Sequence, residues 1–215
     1  MSPDTLPIDA PTRREQIAQV AARAFCRFGY GSASMREIAA EIGITPAALY
    51  HHFRNKEEIL FEVIAAYTDD LLAMLRHEFA AGPDAASALR RALLAHILLL
   101  ETRQVETRLV IDEKKHLSPP HLKRIVQRER EVYGLYRDAV NGIIASGAAR
   151  ELDATVVTFA LFGIVNYFYQ WFRPGGALTL RQAAEQSIAL VFGGLLDPSA
   201  GGVPERRAAK KTRTR

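Results

Sequence analysis

The residues best suited to metal chemistry in this 215-residue chain are Glu113 and His116, which form a Glu-x-x-His step. In di-iron bundle enzymes such steps supply metal ligands, but that chemistry needs two of them. This sequence contains one, and it shows neither a nucleophile–base pair nor a glycine-rich loop for phosphate. We therefore expect no enzyme, no catalytic residue and no bound metal. A metal-binding regulator or a di-metal helical-bundle enzyme that uses Glu113 and His116 is the alternative.

Composition is that of a folded protein in a reducing compartment. Apolar residues make up 48% of the chain, which excludes disorder of the whole chain. The single cysteine, Cys26, cannot form an internal disulfide, and we expect it to pack as a small residue beside the apolar face of the first helix. The sequence shows neither an apolar run of membrane-spanning length nor a signal peptide, so we expect a cytoplasmic protein with no membrane contact and no cofactor.

The net charge of +4 is concentrated at the C-terminus. Residues 205–215 carry six basic residues against one acid, so this segment has a net charge of +5 and the rest of the chain sums to −1. Global charge therefore does not indicate DNA binding, and such a function must rest on a motif. Its glycine, proline and basic residues predict that 198–215 is a disordered basic tail.

Signals for the start and end of helices are dense between residues 34 and 58. They comprise a capping box, a C-terminal glycine, a Thr-Pro start and an Asn start, at Ser34/Glu37, Gly43, Thr45/Pro46 and Asn55/Glu58. Two short helices joined by a tight glycine turn are typical of a helix-turn-helix. Because helices this short are not stable alone, we expect a shared core of Ile38, Ile42, Ile44, Leu49 and Phe53.

The segment REIAAEIGITPAALYHHFRNKEEIL resembles the DNA-binding segment of TetR-family repressors. The matching features are the helix-turn-helix, the LYxxF run that begins at Leu49, and the Lys-Glu-Glu that opens the following helix at Lys56. The resemblance covers residues 12–62. It implies a ligand-responsive transcriptional repressor that binds a palindromic double-stranded DNA operator as a homodimer.

The resemblance also assigns roles to residues of the helix-turn-helix domain (residues 12–56, the head). The recognition helix begins at Thr45, and its first turn, Pro46-Ala47-Ala48, can pack on thymine methyl groups but cannot form bidentate bonds to bases. Arg36 occupies a base-reading position of the family and is the candidate guanine contact, with a solvated or phosphate-bound arginine as the alternative. The family's phosphate-contacting positions fall on Ser34, Thr45, Tyr50, His51, His52 and Lys56. For Tyr50, a half-buried place in the local core is the alternative.

Apolar periodicity predicts an all-α fold of about nine helices, with a three-helix head followed by a larger helical domain. A long helix follows the head up to Gly82-Pro83, where proline must end it, and a weaker helical segment covers about 103–115. The predicted divisions are a flexible lead, a helix-turn-helix domain, an effector-binding and dimerisation domain, and the basic tail, over 1–11, 12–56, 57–197 and 198–215.

The helix that begins at Asp153 is apolar on nearly all sides as far as Phe172. Such a helix must be buried all round, and in a chain of this size a partner subunit would cover it. The last helix, ending near Leu196, offers a companion surface, so two helices from each of two chains would form a four-helix bundle. A monomer core is the alternative, and the family resemblance, which implies dimers, favours the homodimer.

Two segments, 112–131 and 166–180, resemble the TetR branch whose members respond to acyl-CoA thioesters. The patterns LSPxHxxxI (117–125) and WFRPGG (171–176) carry this resemblance, which implies an acyl-CoA effector. Aromatic side chains would line the acyl site: Tyr133, Tyr136, Phe162, Tyr167 and Trp171. Basic side chains would meet the CoA phosphates: Arg103, Arg108, Lys114, Lys115, Arg137 and Arg173. The alternative for each of these basic side chains is that it is simply exposed to solvent on the surface of a helix.

Overall fold

A computed structural model describes residues 11–147, 149 and 152–193, and within them the chain forms nine α-helices and no strand, which confirms the all-α prediction. The helices are α1 (Arg13–Phe28), α2 (Met35–Ile42), α3 (Pro46–His52), α4 (Lys56–Ala80), α5 (Ala85–Leu98), α6 (Leu100–Arg108), α7 (Pro119–Ala145), α8 (Ala154–Trp171) and α9 (Leu180–Gly193). The predicted lead (but for Pro11), the basic tail and the predicted helix end near Leu196 lie outside the described residues.

The head is formed by α1, α2 and α3, and each of its helices begins at a side-chain cap. Oxygens of four capping side chains accept first-turn N–H groups at 2.9–3.2 Å, at Thr12, Ser34, Thr45 and Asn55, the last of which starts α4. Gly43 ends α2 with φ at 75°, the left-handed conformation that favours glycine. The predicted helix-turn-helix is therefore present, and its boundaries follow from short-range hydrogen bonds.

The head has the small core that its apolar residues predict. Ile38, Leu49 and Phe53 are fully buried, while Ile42 and Ile44 are partly buried against them. Burial of a few apolar side chains between helices of fewer than about ten residues supplies the stability that such helices lack alone. The core therefore fixes α3 relative to α2.

The long helix α4 joins the head to the rest of the molecule. It packs against α1 on one side and against α5 and α7 on the other. Arg14 of α1 ties the two parts together: its guanidinium bonds Glu62 at 2.6 Å and Glu58 at 3.2 Å, and lies 3.9 Å from the centre of the Phe53 ring. Movement of α4 is therefore transmitted to the head.

The segment predicted as a weak helix over 103–115 is irregular. Arg103 interrupts α6 with φ −127° and ψ 29°, a π turn covers Leu109–Glu113, and a 3-10 turn covers Lys114–His116 before α7 begins. π-helical turns are rare in proteins, and those that occur are often found at functional sites. The predicted helical segment is therefore present, and its hydrogen bonds change from the α pattern to the π pattern and then to the 3-10 pattern.

The late helices begin where their caps predict. Asp153 accepts the N–H of Val156 at 3.0 Å, and Thr179 accepts the N–H of Gln182 at 3.2 Å. α8 packs against α7, and α9 packs against α5. Large apolar side chains nevertheless stay exposed on these two helices: Val156, Phe159, Tyr167, Trp171, Leu190 and Val191. In the described part of the chain, no helix is long and apolar enough to span a membrane.

Candidate DNA-binding surface and effector cavity

The first candidate site is the outer surface of α3 and the start of α2. Tyr50 is 54% exposed, so its alternative place in the local core is excluded. Pro46, Ala47 and His51 are also exposed. Pro46 and Ala47 share the side of Tyr50, because residues three or four apart are neighbours on a helix, and His51 lies four residues after Ala47. Thr45 and Ser34 are exposed at the helix starts, whereas Ala48 and His52 are half-buried. The chain thus presents a narrow, nearly uncharged helix surface.

Arg36 supplies a cation beside that surface. It is exposed on the first turn of α2, and within the described residues it makes no ion pair or hydrogen bond. An arginine that is not engaged within its own chain can present its planar donor fork to a guanine or a phosphate. Its roles as base contact and as phosphate contact both stay open.

Lys56 has a different environment from the one predicted. Its ammonium donates to the carbonyl oxygens of Tyr30, Gly31 and Ala33 at 2.8, 3.0 and 3.1 Å, and lies 4.6 Å from the centre of the Tyr30 ring. An ammonium has three N–H donors, and all three are used inside the head. In this structure Lys56 therefore holds the α1–α2 loop against the start of α4, and its contact with phosphate stays a prediction.

The second candidate site is a cavity of about 420 Å³ among α4, α5, α6, α7 and α8. Its wall is mostly apolar and includes Leu71, Leu100, Val110, Ile111, Val126, Val132, Phe159, Phe162 and Val165. Lys114, Glu129 and Arg130 also line it, and Lys114 forms an ion pair with Glu129. Exposed Arg130, Phe159 and Asn166 mark an opening between α7 and α8. The cavity therefore suits a molecule with an apolar body and an anionic end.

The structure brings only part of the predicted effector site together. Tyr133 and Phe162 line the cavity, with ring centres 6.1 Å apart. Tyr136 lies behind the wall, 1% exposed, with its ring edge-on to Phe162 at 5.1 Å. Lys114, one of the predicted phosphate-binding cations, is also on the wall, and Arg130 was not predicted.

The remaining predicted contacts lie elsewhere. Tyr167 and Trp171 are 62% and 50% exposed on the outer face of α8, because they are turned away from the side that carries Phe162. Arg103 is bonded to Asp70 at 2.9 Å and is not on the wall. Arg108 and Arg173 line a separate polar groove. Lys115 and Arg137 are exposed and lie off the wall. These side chains therefore do not line the cavity, and their contact with an effector stays a prediction.

One irregular segment, residues 109–116, is shared by the cavity and the head. Val110, Ile111 and Lys114 line the cavity. On the other side the π turn contacts α1, and the His116 ring stacks on Tyr30 with centres 4.9 Å apart. A displacement of this segment by a bound molecule would therefore press on the loop that Lys56 holds.

The Glu113–His116 step has a structural role in this arrangement. The carboxylate of Glu113 lies 3.2 Å from Nε2 of His116. Among the described residues no group of three or more His, Cys, Asp or Glu side chains could hold a metal ion. The two side chains therefore contact each other, and the His116 ring packs on Tyr30.

A second link between the head and the rest of the molecule is a set of hydrogen bonds that joins the starts of α4 and α7. The carboxylate of Glu57 accepts the N–H of Ser118 at 2.8 Å and lies 2.9 Å from Nδ1 of His121. Burial raises the pKa of Glu57, but the bonds from Ser118 and His121 lower it more, so the net pKa lies below the ordinary value. The His121 ring stacks on Phe61, with centres 3.8 Å apart.

The single cysteine lies where α1 meets α6. The Cys26 thiol is half-buried and donates to the carbonyl of Val105 at 3.6 Å. Burial raises the pKa of this thiol to about 11. Its packing role beside the apolar face of α1 is as predicted.

Comparison with known proteins yields matches to both halves of the chain. Residues 17–63 match bacterial regulatory proteins of the tetR family, and residues 82–195 match the tetracyclin repressor-like C-terminal domain. The transcriptional repressor KstR2 of Mycolicibacterium smegmatis is 29% identical over 91% of this chain and 96% of its own.

Two solved structures are similar over most of the described fold. The ketosteroid transcriptional regulator KstR2 of Mycobacterium tuberculosis has a TM-score of 0.81 and 29% identity, covering 86% of this chain and 95% of that one. AibR in complex with isovaleryl coenzyme A and operator DNA has a TM-score of 0.79 and 30% identity, covering 84% of this chain and 98% of that one.

Proposed function

This chain belongs to the TetR family of DNA-binding transcriptional regulators, and from that premise we propose that it is a repressor released from its operator by an acyl-CoA thioester. It acts in the cytoplasm, with a DNA-binding domain over 12–56 and an effector-binding and dimerisation domain over 57–197. The observation that carries the proposal is the apolar cavity with Lys114 and Arg130 on its wall, next to the segment that contacts the head. AibR, a structural relative, binds isovaleryl coenzyme A and operator DNA.

The operator-reading part of the proposal depends on the exposed surface of α3 and on Arg36. The small side chains of Pro46 and Ala47 let α3 approach the major groove, so base discrimination would come chiefly from Arg36. Arg36→Ala should weaken binding to the specific operator by about 1–3 kcal/mol and relax one base-pair preference. Binding titrations against operator variants test this, and a uniform loss on all sequences would assign Arg36 to phosphate.

The proposed dimer is formed by α8 and α9. Their outer faces carry large exposed apolar side chains, among them Tyr167, Trp171 and Leu190, which are 62%, 50% and 56% exposed. Large apolar side chains exposed on neighbouring helices are typical of an interaction site. Light scattering should show a dimer at micromolar concentration, and Leu190→Glu should shift it toward monomer with loss of operator binding. A wild-type monomer that still binds a palindrome would contradict the dimer.

Release requires the effector to favour a conformation in which the two heads no longer match successive major grooves, roughly 34–36 Å apart. α4 and the 109–116 segment connect the cavity with the head, so a small movement there changes the spacing of the recognition helices. Typical coupling of about 1–3 kcal/mol corresponds to roughly 5- to 150-fold weaker operator binding.

The test of the effector is calorimetry with a panel of acyl-CoAs, free CoA and free fatty acids. We expect acyl-CoAs to bind more tightly than the free acids, because Arg130 adds a cation for the CoA phosphates. Arg130→Ala should lower acyl-CoA affinity, whereas the matched control Arg137→Ala, exposed and off the wall on the same helix, should not. If no acyl-CoA binds below about millimolar concentration, the effector class is wrong and the DNA-binding assignment is unaffected.

A further inference from the structure

At the cavity wall, His96 of α5 forms a buried hydrogen-bond pair with Tyr136 of α7. His96 lines the cavity and is 7% exposed, while Tyr136 lies behind it. The Nδ1 atom of His96 is 3.0 Å from the Tyr136 hydroxyl oxygen. A polar pair among apolar walls loses its hydration on folding, so each of its remaining donors needs a partner.

The hydrogen-bond partners assign one tautomer to His96. Burial lowers the pKa of His96 to about 4 and raises that of Tyr136, so both side chains are neutral. Within the described residues, the only hydrogen-bond partner of the Tyr136 hydroxyl is Nδ1 of His96. We assign the hydroxyl as donor and Nδ1 as acceptor, because a hydroxyl that accepted instead would leave its own hydrogen buried and unpaired. A neutral imidazole carries a single proton, which must then be on Nε2.

The Nε2–H group has no partner in the described part of the chain. The only side-chain nitrogen or oxygen there that is both enclosed and unpartnered is Nε of Arg103, so Nε2 of His96 is not sealed inside the protein. Since the residue is buried and lines the cavity, the space that Nε2 reaches is the cavity.

The other buried polar groups of the wall are hydroxyls that have partners. Thr68 donates to the carbonyl of Ile64 at 2.9 Å. Thr107 lies 2.9 Å from both the carbonyl oxygen of Arg103 and the hydroxyl of Tyr67, to either of which it can donate. His96 is therefore the one buried wall residue, among those the structure describes, that offers an unpartnered N–H group to a ligand.

The donor lies deep along the cavity. Tyr136 follows Glu129, the partner of Lys114, by seven residues of α7, which at a helical rise of about 1.5 Å per residue separates them by about 10 Å. A molecule whose anionic end lies near Lys114 and Arg130 would thus place its hydrocarbon part near His96.

We propose that His96 is a specificity-determining residue that donates from Nε2 to an oxo oxygen on the hydrocarbon part of the effector, so that this regulator prefers oxygenated acyl groups to saturated ones. Tyr136 is a positioning residue, which acts by holding the imidazole in the donating tautomer. The proposal rests on the acyl-CoA function above, and it adds the chemical class of the acyl group.

The test uses octanoyl-CoA as the saturated probe, with 5-oxooctanoyl-CoA and 7-oxooctanoyl-CoA as probes that move the oxygen along a chain of equal length. Calorimetry on the wild-type chain should show at least one oxo probe binding about tenfold more tightly than octanoyl-CoA, the worth of one buried hydrogen bond. His96→Phe should abolish this preference while still binding octanoyl-CoA. The control Val132→Ala, an apolar wall change, should alter all three affinities by the same factor.

The Tyr136→Phe variant separates positioning from packing. It should reduce the oxo preference without changing octanoyl-CoA affinity, and nitrogen NMR of the wild-type histidines should show one imidazole protonated on Nε2 that becomes a tautomer mixture in the variant. Octanoyl-CoA binding with no oxo preference, or a preference that survives His96→Phe, would overturn the proposal. If none of the three probes binds, both this proposal and the acyl-CoA function fail.

Discussion

The head and the cavity are both formed by helices with apolar faces, yet they are held together in different ways. In the head, capping side chains act within three residues of their partners and a closed core surrounds Leu49. Around the cavity, the backbone leaves the α-helical pattern at Arg103 and again over 109–116, and apolar side chains face an empty volume. The two regions therefore differ in packing, since the head closes around a buried core and the other region lines an open volume.

The largest expected effect compares two leucine truncations. Leu49→Ala in the closed core of the head should lower the free energy of unfolding by about 2–5 kcal/mol, since the space it leaves is surrounded by packed atoms. Leu71→Ala is the same truncation on the cavity wall. It should lower the free energy of unfolding by about 2 kcal/mol or less, because part of the Leu71 side chain already faces empty volume. Denaturant unfolding measures both, and equal losses would contradict the difference in packing.

The next prediction concerns Lys56, for which the sequence predicts a contact with DNA and the structure shows hydrogen bonds inside the head. Lys56→Ala should destabilise the head by about 1–3 kcal/mol, since three carbonyl groups lose a charged donor. Exposed Lys123→Ala is the matched control and should leave stability unchanged. Unchanged stability in Lys56→Ala, together with a shallower salt dependence of DNA binding, would restore the phosphate contact.

The sequence was sufficient for the head because its signals are local. The partners of Ser34 and Thr45 stand three residues away, so the helix starts could be predicted without tertiary structure. The cavity depends on which side of α8 meets α7, and Phe162 and Trp171 illustrate the difficulty. They are nine residues apart, about two and a half helical turns, and so lie on opposite faces, although both are aromatic. Composition could not distinguish them, because α8 is apolar on nearly all sides.

A smaller effect is expected at the junction between the two regions. Glu57→Gln should cost about 1 kcal/mol near neutral pH, since the carboxylate bonds to Ser118 and His121 lose their charge. The folded-state pKa of Glu57 is lowered, so this stabilisation is present above the ordinary value of 4.5 and is lost as the pH falls through the lower folded value. Thermal unfolding from pH 7 to pH 3 should show the wild-type advantage disappear in acid. Exposed Glu101→Gln should show no such change.

The smallest effect concerns the residues that the sequence assigned to the effector and the structure places outside the cavity. Trp171→Ala and Arg173→Ala should leave acyl-CoA affinity within experimental error, whereas Phe162→Ala should weaken it. Calorimetry distinguishes the two groups. Loss of acyl-CoA affinity in Trp171→Ala would mean that the effector site extends to the outer face of α8. Trp171→Ala should instead weaken dimer formation, because that face is the proposed interface.

Cys26 is a natural probe of movement between α1 and α6, because it lies where these helices meet. A thiol is alkylated through its thiolate, and a pKa of about 11 keeps that form scarce while the sulfur is covered by α6. Any separation of α1 from α6 would expose the sulfur, lower this pKa and raise the alkylation rate. Since the chain has no other cysteine, no engineered label is needed. The alkylation rate with operator DNA or with an acyl-CoA would show whether either one separates α1 from α6.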